Sequence, residues 1–376
     1  MKKEWQHKLL LFGFILVLWL PTVKMFFSEK NEMLAYENRK SASFPAFDIK
    51  GHSNIILSAA RYFNDFMAYH ADNFGFRNEM LDLFRYLKVS LLSVNPFPEK
   101  VVKGDNGFYF LGNSFSDVIK ESKGISFFSE SQLGVIANNI KRIDADCRRR
   151  GIKLYVAIAP NKHTVYGQCL PVIKSEHATK LEQVISRMDR NQIRIIDLKE
   201  DFHNYRDKRL FYLHDTHWNS FGGFLGYRTL MEKIVRDFPC IKVLSINDFK
   251  FGTLPSESND LTRMLSMKIP EDRVVMEPKF ECNAGREKCR LPIPGGYKRN
   301  PDEYEFRFVS HTRPLKALIF RDSFFEAMMP FIKESFGESV LIWSAYDKSL
   351  VDIEKPDLVI YELIEREIDV LEKSDP

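Results

Sequence analysis

Apolar and polar positions change their spacing from one stretch of the chain to the next, and each spacing predicts an element. Residues 9–20 are apolar throughout except for Gly13, with Lys2, Lys3 and Lys8 before them and Pro21, Thr22 and Lys24 behind. Counted on to Phe27, with the side chain of Lys24 snorkelling, the run approaches the length that spans a bilayer. No small-residue cleavage pattern closes it, so it reads as an uncleaved anchor; a cleaved signal peptide and a buried core helix are the alternatives. The lysines in front of it put the N-terminus in the cytoplasm and the rest of the chain outside.

Residues 29–50 are polar and loop-like, with Phe44-Pro45 breaking any helix. Over residues 59–93, Tyr62, Phe63, Phe66, Leu81, Phe84 and Leu87 are spaced as the apolar faces of a helix. Residues 101–110 carry a hairpin signal, with Asp105-Asn106-Gly107 as its turn. Helices then alternate with strands: helices over 131–150, 177–190, 218–237 and 323–336, strands over 153–159, 193–198, 315–320, 339–343 and 357–362. A less regular insert at about 239–313 interrupts the series. Such alternation predicts an α/β fold with a parallel sheet covered by helices on both faces. The chain divides into a cytoplasmic tip and anchor at 1–28, a linker and helical region at 29–100, and the α/β domain at 101–376.

Composition narrows the function. An apolar content of 44% and a charged content of 28% belong to an ordinary globular protein. The net charge of +4 is small, and the one basic block, Arg148-Arg149-Arg150, reads as the solvated end of a helix, so nucleic-acid binding has no support. The 13% aromatic content suits a sugar-lined cleft and a Phe-rich core equally. Cys282 and Cys289 enclose a polar loop that a disulfide could close, while Cys147, Cys169 and Cys240 are isolated. A zinc site is not expected, because no second metal-binding pair accompanies these two cysteines.

Ligands of parallel sheets sit beyond the carboxyl ends of the strands, and three polar segments fall there. In Arg321-Asp322-Ser323, Ser323 stands at a predicted helix N-terminus, where free N–H groups can stabilise an oxyanion. The plain alternative is that Asp322 or Ser323 is an N-cap. In Asp215-Thr216-His217, residues two apart point the same way in an extended segment. Asp215 could then hold the tautomer of His217 while His217 takes a proton from a serine. Competing readings make Asp215 a helix cap, or His214 and His217 metal ligands, although the latter lack a carboxylate-rich partner set. In Pro160-Asn161-Lys162, Asn161 could donate to an oxyanion or a substrate and Lys162 could meet an anion or a carbonyl; a turn with a solvated lysine is the alternative.

These segments resemble a known family. Tyr212-Leu213-His214-Asp215-Thr216-His217-Trp218-Asn219, followed by Ile319-Phe320-Arg321-Asp322-Ser323-Phe324, is similar to the DHHW group of SGNH-hydrolase-like proteins. That group is itself similar to the alginate O-acetyltransferases of exopolysaccharide biosynthesis. Glu37-Asn38-Arg39 with Phe44-Pro45, Phe74-Gly75-Phe76-Arg77 and Gly104-Asp105-Asn106-Gly107-Phe108 extend the likeness. So do Pro160-Asn161-Lys162 with Tyr166 and Pro171, and Asn259-Asp260-Leu261.

The resemblance implies an SGNH-like fold and a triad of Ser323 as nucleophile, His217 as base and Asp215 as its orienter. An acetyl-enzyme would pass its acyl group to a sugar hydroxyl. Asn161, Lys162, Arg321 and Trp218 are the substrate or oxyanion candidates; no metal and no cofactor is implied. Asp and His precede Ser, the reverse of ordinary SGNH esterases. Two residues depart from the family pattern: Thr216 stands at the first His of the DHHW name, and Arg321 where the alginate enzymes often have Gly. Arg321 could alter the local turn or contact an acidic polymer.

The expected function is that of an O-acetyltransferase held in the inner membrane by one span, acting on a polysaccharide in the periplasm or outside the cell. Acetyl-CoA is out of reach there, so a membrane-bound O-acyltransferase is the expected acyl donor. A carbohydrate esterase that removes acetyl groups, and a non-catalytic scaffold of a polysaccharide-export complex, are the alternatives.

Overall fold

The computed structural model of the chain describes residues 2–27, 33–34, 39–46, 55–92, 94–190, 195–205, 207–256, 259–265, 267, 269–297 and 299–373. Much of the loop predicted at 29–50, and the start of the strand predicted at 193–198, lie outside the described residues. Two compact units divide at residue 96.

In the first unit, the helix Lys2–Phe27 runs through Pro21. Its segment His7–Met25 is 19 residues long with a mean hydropathy of 1.8, so by length and composition it can cross a membrane. The strands β1 (Met33–Leu34) and β2 (Arg39–Lys40) pair antiparallel. The single helix predicted over 59–93 is instead two, Ile55–Asn73 and Arg77–Tyr86, the second running into a π-helical turn at Leu87–Leu91. The break falls at Phe76, whose φ of 65° is left-handed and ends any α-helical run.

In the second unit, β3 (Val101–Lys103) and β4 (Tyr109–Leu111) form the expected hairpin. Asn106 and Gly107 both take positive φ in its turn, which explains the Asn-Gly pair. The helix Glu130–Arg149 follows, opened by a capping box of Ser129 and Gln132. Its basic end is ion-paired, Arg148 to Asp144 and Arg149 to Asp146.

The remaining strands are β5 (Lys153–Ala159), β6 (Ile195–Asp197), β7 (Phe249–Leu254), β8 (Arg273–Pro278), β9 (Gly285–Glu287), β10 (Glu305–Val309), β11 (Lys316–Phe320), β12 (Glu338–Ile342) and β13 (Leu358–Ile364). Seven of them make one sheet in the order β6-β5-β13-β11-β12-β10-β9. The pairs from β6 to β12 are all parallel, whereas β10 and β9 add antiparallel strands at one edge. β7 and β8 pair separately. Strand period decides the two-sided core. Along β13, Leu358, Ile360 and Ile364 face the helix Ser220–Asp237, while Val359, Tyr361 and Leu363 face the helices Glu130–Arg149 and Lys180–Arg190.

The structure corrects three expectations. First, the insert predicted as irregular supplies β7 to β10. β10 escaped notice because its buried face is ionic: Arg307 is fully buried against Glu305, Glu338 and Glu354, a pattern that reads as surface in the sequence. Second, the helix predicted at 323–336 is two short turns, Phe324–Ala327 and Met329–Ile332, since Pro330 lacks the N–H to continue the first and starts the second. Third, Cys282 and Cys289 are free, and the strand β9 extends the chain between them.

Candidate active site

β5, β11 and β13 are parallel, so the loops that follow them meet at one edge of the sheet. Ser323 lies after β11, Asn161 and Lys162 after β5, and Glu365 and Arg366 after β13. Opposite them hangs the loop 212–217, closed by the bridge between Phe211 and Trp218 and by the Tyr212 N–H donating to His217 O at 3.3 Å. Asn219 caps the helix Ser220–Asp237 by accepting from the N–H groups of Phe221 and Gly222. That frees Asp215 from the capping role open to it in the sequence.

Asp215 turns to the imidazole instead. Its Oδ1 accepts from Nδ1 of His217 at 2.7 Å and from the His217 backbone N–H at 3.0 Å. Nε2 of His217 lies 2.9 Å from Oγ of Ser323. Nδ1 then carries the proton, and Nε2 offers a lone pair to the serine hydroxyl. The His217 side chain is 32% exposed and Ser323 half-buried, so a ligand can reach both.

Charge follows geometry here. Burial opposes the Asp215 anion, but the hydrogen bond and charge of His217 outweigh it and hold the carboxyl below its usual range. Burial likewise opposes the imidazolium, yet Asp215, with help from Asp260, raises the His217 pKa above its ordinary value. The ring packs against Phe324 at a tilt of 36°, their centroids 4.8 Å apart.

The remaining sequence candidates are placed differently from one another. Lys162 is buried, and its ammonium donates to three backbone carbonyls: Tyr109 at 2.7 Å, Leu213 at 2.8 Å and Asp215 at 3.0 Å. It straps the 212–217 loop to the β3–β4 hairpin and has no solvated end. Trp218 is buried too, and its indole N–H donates to the Phe324 carbonyl at 2.8 Å, tying the imidazole loop to the serine turn. Arg321 points away from solvent. Its guanidinium donates to the carbonyls of Asp322 and Glu303 and to Glu326, and lies over the rings of Phe306 and Trp343. Acidic polymer cannot reach it there.

Asn161 differs from these three. Its Oδ1 accepts from Arg366 at 3.4 Å, which turns the amide nitrogen the other way, and that buried Nδ2 has no hydrogen-bond partner among the described residues. The start of the turn after Ser323 is not a free set of donors, because Asp322 Oδ1 already accepts from the Phe324 N–H at 2.7 Å.

Three contributors were not singled out from the sequence. Asp260 Oδ2 lies 3.8 Å from His217 Nδ1. Arg366 stands over the Phe324 ring at 5.2 Å. Glu271 accepts from the N–H groups of Leu213 and His214 at 2.7 and 2.9 Å, holding the loop from its other side. Asp260 had a faint signal in Asn259-Asp260-Leu261; Glu271 and Arg366 had none, because each acts across more than forty residues of chain. Donor atoms of Asp215, His217 and Asp260 lie within 4.8 Å of one another and could hold a cation. In this arrangement the Nδ1 proton and the Asp215 oxygen are already bonded to each other, which is the chemistry of an acid–imidazole pair.

Residues 101–279 match the family model described as the SGNH hydrolase-like domain of acetyltransferase AlgX. The chain has an SGNH-like α/β fold. The match covers Asp215 and His217 and ends before Ser323. No curated protein matches the chain. Among solved structures, Bacillus cereus PatB1 aligns with a TM-score of 0.53 at 14% identity, over 72% of this chain and 96% of that one. PatB1 with a sulfonyl adduct aligns at 0.51 and 15% identity, over 71% and 97%. A DHHW family protein from Eubacterium siraeum aligns at 0.49 and 14% identity, over 73% and 98%. The fold is common ground with PatB1, and the AlgX match supports acetyltransferase- or esterase-type chemistry at a coarse level.

Proposed function

We propose that this protein is a membrane-anchored O-acetyltransferase that acts outside the cytoplasm on a polysaccharide hydroxyl through an acyl-Ser323 intermediate. The observation that carries the reading is the unbroken series from Asp215 through His217 to Ser323, at 2.7 and 2.9 Å. His217 Nε2 takes the hydroxyl proton as Ser323 Oγ attacks the acyl carbonyl, and Asp215 stabilises the imidazolium that results. The unpartnered Nδ2 of Asn161 is the candidate donor to the oxyanion. As the tetrahedral adduct collapses, the imidazolium proton goes to the leaving group and the acyl group stays on Oγ. A sugar hydroxyl then attacks, His217 again takes the proton, and it returns to Ser323 as the ester product leaves.

The apolar helix Lys2–Phe27 supports the anchor, and the lysines ahead of its apolar run support a cytoplasmic N-terminus. Acyl groups would come from a membrane-bound O-acyltransferase. The test supplies an activated acetyl ester and a polysaccharide acceptor to the full chain and follows both acetylated polymer and acetyl-Ser323 by mass spectrometry. Ser323→Ala should abolish both; full transfer by Ser323→Ala overturns the reading. Acetate release that an acceptor does not divert would make the protein an esterase.

A further inference from the structure

One half-buried acid at the site, Asp260, has no part in the relay. Asp260 opens the short helix Asp260–Met264, and three hydrogen bonds seat it on the 212–217 loop. The Leu261 N–H donates to His214 O at 3.2 Å, the Asp260 N–H to Asp215 Oδ2 at 3.3 Å, and the Thr216 N–H to Asp260 Oδ1 at 2.8 Å. Its Oδ2 accepts from the Thr216 hydroxyl and stands 3.8 Å from His217 Nδ1, against 2.7 Å for Oδ1 of Asp215. Two carboxylates therefore face one ring nitrogen, each held in place through the other's neighbourhood.

We propose that Asp260 is a second positioning carboxylate for His217, sharing the field that stabilises the imidazolium and accepting the Nδ1 proton when Asp215 cannot. The proposal rests on reading His217 as the base. Thr216 holds both carboxylate oxygens, its N–H on Oδ1 and its hydroxyl on Oδ2, and that two-point grip sets Oδ2 3.8 Å from Nδ1 at the edge of the ring. The two acids also sit as a shared site requires. Burial, and then the charge of Asp215, push the Asp260 carboxyl up, while Asp215 is held down. The other groups around the ring are the hydroxyls of Thr216 and Ser323, the Phe324 ring and the guanidinium of Arg366, whose charge opposes the imidazolium. Within this set Asp260 is the carboxylate next nearest to Nδ1 after Asp215.

The test reads the His217 ring by NMR titration in the full chain, and acylation of Ser323 by an activated ester. Asp260→Asn should lower the His217 pKa by about one unit. It should cost less than about tenfold in acylation on its own but more than about tenfold in an Asp215→Asn background, the non-additivity of groups that share a partner. In Asp215→Asn alone the ring should still titrate near its ordinary ~6.5, because Asp260 takes over. An unmoved titration in Asp260→Asn, or an equal cost in both backgrounds, overturns the proposal. Should Asp260→Asn fail to fold, Asp215→Asn decides: a ring whose pKa falls more than about one unit below ~6.5 has found no second carboxylate. The titration needs no turnover, so a protein that never acylates Ser323 would overturn the acyl-transfer reading while the ring measurement still judges Asp260.

Discussion

Replacing Lys162 with methionine perturbs the strap behind the site, and its effect can be worked from the structure. Burial pushes the ammonium down from 10.5 to about 7, partly offset by Asp260, Asp215 and Glu271. That difference amounts to about 5 kcal/mol of burial cost at low pH. Against it stand three carbonyl acceptors, each worth roughly 1–3 kcal/mol if left unpaired. The opposing effects are similar in size, so Lys162→Met should change stability little at pH 7. The pH dependence is the sharper readout. The folded pKa lies below the unfolded one, so the native state gives up its proton first and stability rises with pH between 7 and 10.5. Between pH 7 and 9 the wild type should gain about 2 kcal/mol over the non-titrating variant, roughly 4–8 °C in the difference of their melting temperatures. Thermal unfolding followed by circular dichroism at pH 7, 8 and 9 measures it. A difference that stays constant refutes the reasoning, and would mean that the three carbonyls hold the proton as firmly as water does. Acylation should also fall at least about tenfold in the variant, since the Asp215 carbonyl loses its tether.

Three further outcomes are expected. Acylation should be lost as pH falls through a value above the ordinary ~6.5 of histidine, because the raised His217 pKa protonates the base early; a half-maximal rate below ~6.5 in the kcat/KM profile contradicts this. Trp218→Phe keeps a ring but strands the Phe324 carbonyl, and should cost about 1–2 kcal/mol in urea unfolding as well as slow acylation. Gly223→Ala would put a Cβ 2.6 Å from the Ala327 carbonyl oxygen and should cost about 1–3 kcal/mol, whereas Gly134→Ala, with nothing within 4 Å, should be neutral or stabilising.

The legible parts of the fold were those whose physics is local. β5 and the helix Glu130–Arg149 could be placed from the sequence nearly to the residue, because an apolar run and an amphipathic spacing act within a few positions. β9 and β10 could not. β10 exists because Arg307 finds Glu354 and Glu338 from distant segments, and its own five residues alternate charge with apolar side chains as an exposed strand would. The helix predicted at 323–336 failed for the opposite reason: the apolar spacing was present, but Pro330 and the bond from Phe324 N–H to Asp322 fixed two short turns instead.

The site divides along the same line. Asp215 and His217 are two residues apart on one loop, so their pairing could be inferred from extended-chain geometry. Their meeting with Ser323, 106 positions from His217, could be anticipated from the rule that strand ends gather ligands and from the family resemblance, not from local spacing. Lys162, Trp218 and Arg321 looked like ligand-facing side chains because they are long, polar-tipped and close in sequence to the chemistry. Each turns donors to backbone carbonyls instead, and Arg321 also donates to Glu326. That outcome follows from the loops themselves: carbonyls buried at the crowded edge of a sheet need donors. Lysine, tryptophan and arginine carry N–H groups on stems long enough to reach them. Long polar side chains beside a buried loop are therefore weaker evidence for substrate contact than a short one left unpaired, and Asn161, with its buried and unpartnered Nδ2, is the candidate that this criterion retains.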